Sequence, residues 1–297
     1  MNPATYFLLP DGRLRAGWRF LLFLICWILA TGLLRWALGG LTRGDPFLAS
    51  FGNLAVVAVV SWAMLRLFDC RPFGDVGLQL GAGAGKALGC GIGVGAGSVA
   101  AVAVTLVAIG DVRFTAAAPG APDVLDAAMA ILTTTLLLVL AASFEELLFR
   151  GYPFQRLVEW LGAAGAVTVS ALVFGYMHRL NPSASLFSTA NTALAGVVLS
   201  LAYLRSRTLW YPIGWHAAWN WSMALAGFPV SGLRVFDVPW RAAGPEPAGW
   251  LHGGGYGPEG GAVATALLLA LAAALWLRPR AVGCFRIELP ESHRVPW

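Results

Sequence analysis

Apolar residues run along this chain in eight blocks, 17–41, 50–67, 86–110, 124–149, 163–178, 185–204, 209–227 and 260–277, separated by short polar or Gly/Pro-rich breaks. Several blocks approach the ~20 residues that a helix needs to cross ~30 Å of hydrocarbon. The pattern predicts an all-α, polytopic membrane helix bundle with about eight transmembrane helices. Block 163–178 is the shortest, and the limits of 163–178 and 209–227 are soft. The first block is too long for a signal-peptide core, and no small-residue cleavage site follows it, so it is expected to stay in the protein.

The breaks suggest four regions. Residues 1–123 hold the first three helices behind a cytoplasmic N-terminus, and 124–227 hold the next four. Residues 228–259, with five prolines and several glycines, read as an extracytoplasmic loop or cap. The last helix and a basic cytoplasmic tail occupy 260–297. The glycine run at 89–97 lacks the lysine and the strand–helix setting of a phosphate loop. Close helix packing through small residues explains it better.

Composition agrees with a membrane domain. Hydrophobic residues make up 58% of the chain and charged residues 12%, with a mean hydropathy of +0.70. The net charge of +5 reflects orientation and not a nucleic-acid partner. With the N-terminus inside, 14 basic residues fall on the inner side and 6 on the outer, as the positive-inside rule expects when both termini are cytoplasmic. The Ala-, Arg- and Trp-rich composition suggests a bacterial source, hence the inner (cell) membrane. Cys26, Cys70, Cys90 and Cys284 are scattered and read as small hydrophobes, not as disulfides or a zinc knuckle.

Candidate chemistry lies in three blocks. Of the 15 acidic residues, only Glu145 and Glu146 fall well inside an apolar block. A carboxylate in hydrocarbon is costly unless paired or wetted, so such acids suggest a functional site. Arg150 is one helical turn beyond Glu146 and can hold it ionised. Glu145, about 100° around the helix, is left free for chemistry as a general base. Pro153 is expected to bend or end this helix. Phe174 and His178 are four apart near the end of the next block, and His216 and Asn220 are four apart in a later one. Most tryptophans around His216 read as an interfacial aromatic belt.

Glu145-Glu146 with Arg150, Phe174 with His178, and His216 with Asn220 form the motifs EExxxR, FxxxH and HxxxN, in that order. This arrangement resembles the CPBP family of CAAX-protease and bacteriocin-processing intramembrane endopeptidases, also called Abi or Rce1-like. The resemblance covers residues 124–227. It implies cleavage of peptide bonds in membrane-associated, lipidated or processed peptides. Glu145 and His178 would activate a water, His216 and Asn220 would form an oxyanion hole, and Glu146, Arg150 and Phe174 would support the site. The residues agree with this, since asparagine is a poor base and a good amide donor.

A metal-free mechanism is favoured, with zinc held by Glu145, His178 and His216 as the alternative. The expected partners are membrane lipid and a peptide or protein substrate entering from the membrane. Two other readings stay open: a proton-coupled transporter, and a non-catalytic immunity or scaffold protein of the same fold. One tension concerns depth. Glu145 lies about 12 Å along its helix from Pro153, whereas His178 lies about 22 Å from the start of its block.

Overall fold

The computed structural model describes residues 4–39, 45–116, 124–235, 237–244 and 249–277. The basic tail beyond 277, with Cys284, and Arg43 lie outside them. After a single turn, α1 (Ala4–Phe7), the long helices are α2 (Ala16–Ala37), α3 (Pro46–Met64), α4 (Ala82–Ala108), α5 (Val124–Arg150), α6 (Tyr152–Met177), α7 (Leu186–Ser206), α8 (Trp210–Leu225) and α9 (Ala262–Leu277). Each apolar block therefore has its helix. Five helical stretches are long and apolar enough to cross a membrane: Ala16–Ala37, Pro46–Asp69, Gly83–Ala108, Ala128–Leu180 and Leu186–Ser206. The 53-residue stretch contains both α5 and α6, and α8 and α9 have 16 residues each. Leu29, Trp36, Val104 and Leu172, each more than 60% exposed, are placed to meet lipid.

Local chemistry sets several helix ends. Asp45 caps α3 by accepting from the backbone N–H of Phe47 and Leu48, and Pro46 opens the helix without losing a bond. Ser185 and Ser188 form a reciprocal capping box on α7. Cys70 adopts a left-handed conformation (φ 53°) and terminates the π-type turn Leu65–Asp69 that follows α3.

The fifth block differs from its sequence reading. The helix carrying Glu145 does end just before Pro153, at Arg150, but a new helix, α6, starts at once at Tyr152 with Pro153 in its first turn, so the block begins well before residue 163. A second break follows inside α6 at Gly162, where φ 74° and ψ 171° are open to glycine at little cost. Residues 152–162 thus supply the missing depth before the chain turns back through 163–177. Their charged groups are sheltered by a node that links three helices. Asp69 pairs with Arg19 of α2 and with Arg156 at 2.6 Å, and Glu159 reaches the same two arginines at 2.5 and 3.1 Å. Arg19, Asp69 and Arg156 are almost fully buried, where unpaired charges would be very costly.

Two seams bring the later helices together. Along α4 and α8, a Cβ on Gly91 or Gly95 would strike the carbonyl oxygens of Tyr211 or Trp215, and one on Gly214 would strike that of Leu88. The small residues thus let two backbones meet, as read from the sequence. Along α6 and α7, Gly175 lies against Thr189 and Ala193, and Gly196 against Ala171 and Phe174. The start of α2 and the end of α9 lie at the same end of the bundle, shown by a chain of contacts: Arg19–Glu159, Gln155–Asp75 O, Leu209–Gly77 O and Arg205–Trp276 O. At the opposite end, β1 (Arg113–Ala116) pairs antiparallel with β2 (Trp240–Ala243), and His252 bonds Asp111 at 2.7 Å. The sequence pattern gave no sign of this two-stranded sheet.

The α4–α8 seam yields a prediction. Gly95→Ala places a methyl group against rigid backbone, so the variant should lose about 1–3 kcal/mol of stability through overpacking. Thermal unfolding in detergent, compared with Gly93→Ala at a position where an added Cβ meets nothing within 4 Å, measures the difference. Equal melting temperatures would show that the seam tolerates separation.

Candidate active site

The site forms where α5, α6 and α8 meet, walled by α7. Its register follows from aromatic packing. Phe149 on α5 meets Phe174 on α6 edge to face, with centroids 5.1 Å apart. One turn back along α5 is Glu145, and one turn on from Phe174 is His178. Antiparallel packing therefore brings these two together, and His178 Nε2 lies 3.9 Å from Glu145 Oε2. His216, about midway along α8, enters from the other side with its Nε2 3.8 Å from the same oxygen.

Glu146 is fully buried and serves two partners. Arg150 Nη1 donates to Glu146 Oε1 at 3.1 Å, the i,i+4 pair expected from the sequence. The second partner was not legible in the sequence: His216 Nδ1 lies 2.8 Å from the same Oε1. Because Glu146 accepts, Nδ1 carries the hydrogen, and Nε2 is turned toward Glu145. His178 is fixed in the same sense. Its Nδ1 donates to the Phe174 carbonyl at 2.8 Å, which again leaves Nε2 facing Glu145. Arg150 is held further by the Gly196 carbonyl at 3.0 Å and by the Phe174 ring, 4.7 Å from the guanidinium carbon. Phe174 thus touches both the arginine and the histidine that follows it by one turn.

Glu145 is placed differently from its neighbour. Its side chain is 25% exposed, and its Oε2 has no hydrogen-bond partner among the described residues. The two Nε2 atoms at 3.8 and 3.9 Å are too distant for direct hydrogen bonds and leave room for a small polar molecule between the three groups. The adjoining cleft is lined by Phe174, His178, His216 and Asn220, with apolar walls from α7, α8 and α9. Among the described residues, the Asn220 amide has no protein partner. His178, His216 and Asn220 therefore line one cleft together with Phe174, Glu145 lies against the two histidines, and Glu146 and Arg150 are packed behind them.

Glu145, His178 and His216 are the donors that could approach a zinc ion together. Among the described residues, no group of three His, Cys, Asp or Glu is arranged to hold a metal.

Two features of the site depart from the sequence reading or were missed by it. Trp215 and Trp219 are not belt residues: they are 3% and 8% exposed and line the cleft, because the glycine seam draws α8 into the bundle. Glu259 and Ser231, from the segment read as a distant cap, also line the cleft. Trp219 was the available signal for that contact, since a buried indole N–H needs an acceptor. It donates to Glu259 Oε1 at 2.8 Å.

The two adjacent carboxylates should respond differently to substitution. Arg150→Ala strands the buried Glu146 charge and should cost about 3–5 kcal/mol. Glu145→Gln removes a half-buried, unbonded oxygen charge and should leave the melting temperature near wild type. Thermal unfolding of the purified variants in detergent checks both, and an Arg150→Ala protein as stable as wild type would contradict the assignment of roles.

No curated protein matches the chain, and no solved structure matches it. Residues 127–222 match one family model, Type II CAAX prenyl endopeptidase Rce1-like. The matched stretch holds every residue of the three motifs and ends before the segment that carries Ser231 and Glu259. Residues 127–222 are thus similar to the Rce1-like family, the one that the three motifs resemble.

Proposed function

We propose that the protein hydrolyses peptide bonds within the membrane by a glutamate-activated water, without a metal. The observation that carries this reading is the unbonded Glu145 Oε2, faced by two histidine Nε2 atoms whose Nδ1 atoms are both committed elsewhere. A water there would touch Glu145 as base, with His178 sharing its proton. It would attack a carbonyl carbon presented from the cleft. The oxyanion that develops would be met by the Asn220 amide and by protonated His216. Donors of this kind contribute roughly 3–4 kcal/mol to acyl-transfer transition states. The proton held by Glu145 and His178 would then pass to the departing amine.

In this reading Glu146 holds His216 in one orientation and stabilises its positive charge, and Arg150 keeps Glu146 ionised. The free amide of Asn220 supports an oxyanion role over a ligand role, since amide oxygens are weak ligands for zinc. The apolar cleft walls suit an apolar or lipidated peptide arriving from the bilayer. We assign both termini to the cytoplasmic side from the distribution of basic residues, and the protein to the bacterial cell membrane from its composition.

Two measurements test this. Glu145→Gln should lower peptidase activity about 100-fold or more while the protein stays folded. Activity equal to wild type would sink the assignment of Glu145. Purified protein should contain far less than stoichiometric zinc and keep its activity in strong chelators. Zinc and activity lost together, and restored together by added metal, would make Glu145, His178 and His216 ligands instead.

A further inference from the structure

The cleft has a second polar pole that the three motifs do not include. Glu259 comes from the short turn before α9, outside the stretch matched to the family. Its carboxylate is held by three donors. Trp219 Nε1–H donates to Oε1 at 2.8 Å, and the Ser231 N–H and Oγ–H donate to Oε2 at 2.5 and 2.9 Å. The backbone around it is fixed as well. Asn191 donates to the carbonyl oxygens of Glu259 and Gly261 at 2.9 and 3.0 Å, and the Gly232 N–H bonds the Tyr256 carbonyl at 2.9 Å.

What this carboxylate lacks is a cation. Among the described residues, no Lys, Arg or His pairs with Glu259. Its charge is felt nearby: burial first, and then the Glu259 charge, push the Tyr256 hydroxyl above its ordinary pKa. A carboxylate offers about four acceptor positions, and three are used here. One remains on Oε1, in a residue that lines the same cleft as His216 and Asn220. A rigid, uncompensated anion in a mostly apolar cleft favours one kind of occupant, a group that brings its own positive charge.

We infer that Glu259 selects a substrate carrying a lysine or arginine side chain next to the scissile bond. This rests on the proteolytic reading of the cleft for its account of what binds there. The apolar walls take the remainder of the peptide, and Glu259 sets which peptides gain from entering. Trp219 couples the two poles, since it bonds Glu259 and precedes Asn220 in the same helix.

The test separates binding from cleavage. The full chain carrying Glu145→Gln is immobilised in detergent and exposed to a pool of apolar octapeptides with one position randomised in turn. Mass spectrometry identifies the peptides retained. Lysine and arginine should be enriched about ten-fold over leucine at one position, as one charge-assisted hydrogen bond allows. The enrichment should vanish in Glu145→Gln/Glu259→Gln and persist in Glu145→Gln/Glu259→Asp, which keeps the charge. Equal retention of cationic and neutral peptides, or enrichment that survives Glu259→Gln, overturns the inference. Exposing the retained peptides to wild-type protein then tests proteolysis by itself: enriched peptides left uncut would fault the mechanism and not the selectivity.

Discussion

The site depends on one buried carboxylate. Glu146 has no exposed surface, and its Oε1 accepts from both Arg150 and His216. In a low-dielectric interior such a charge is tolerated only when its partners are fixed, so Glu146 obliges α5 and α8 to keep their relative position. Arg150 extends the constraint to α7 through the Gly196 carbonyl and to α6 through the Phe174 ring. Four helices are thus tied at one point, beside the residues proposed to carry the chemistry. A group that could have been a liability in hydrocarbon becomes the reason the site has a defined geometry.

Adjacent residues on one helix then take opposite roles. Glu146 points into the bundle, where its Oε1 takes both Arg150 and His216 and its Oε2 is buried without a partner among the described residues. Glu145, rotated by about 100°, reaches the edge of the cleft and keeps an oxygen without one. The two histidines are oriented by groups behind them, a backbone carbonyl for His178 and a carboxylate for His216, so both present Nε2 to the same oxygen. None of this survives without close packing. The glycines of α4 allow α8 to approach, and the edge-to-face contact of Phe149 and Phe174 sets the level of His178 against Glu145.

The segment between α8 and α9 is joined to the core by several polar contacts. Asn181 holds the Ser231 carbonyl, Asn191 holds the turn at Glu259, and His252 holds Asp111. This explains how residues far from the motifs contribute a wall of the cleft. It also places the Glu259 charge on a rigid support, where recognition of a cation loses little to reordering.

Periodicity within the chain was enough to show the helical blocks, the Glu146–Arg150 pair, the shared faces of Phe174 with His178 and of His216 with Asn220, and the role of the glycine run. All of these are interactions within about one turn, or the pattern of one helix face, which a local rule can read. The tertiary structure decided the rest. The Glu146–His216 bond joins residues 70 apart, Trp219 and Glu259 are 40 apart, and Arg19 and Glu159 are 140 apart. Such pairs follow from how helices pack, and no spacing along the chain encodes them. Gly162 shows the same limit in the backbone. Glycine tolerates a positive φ but does not require one, so the end of α5 before Pro153 was legible while the second break, at Gly162 inside α6, was not.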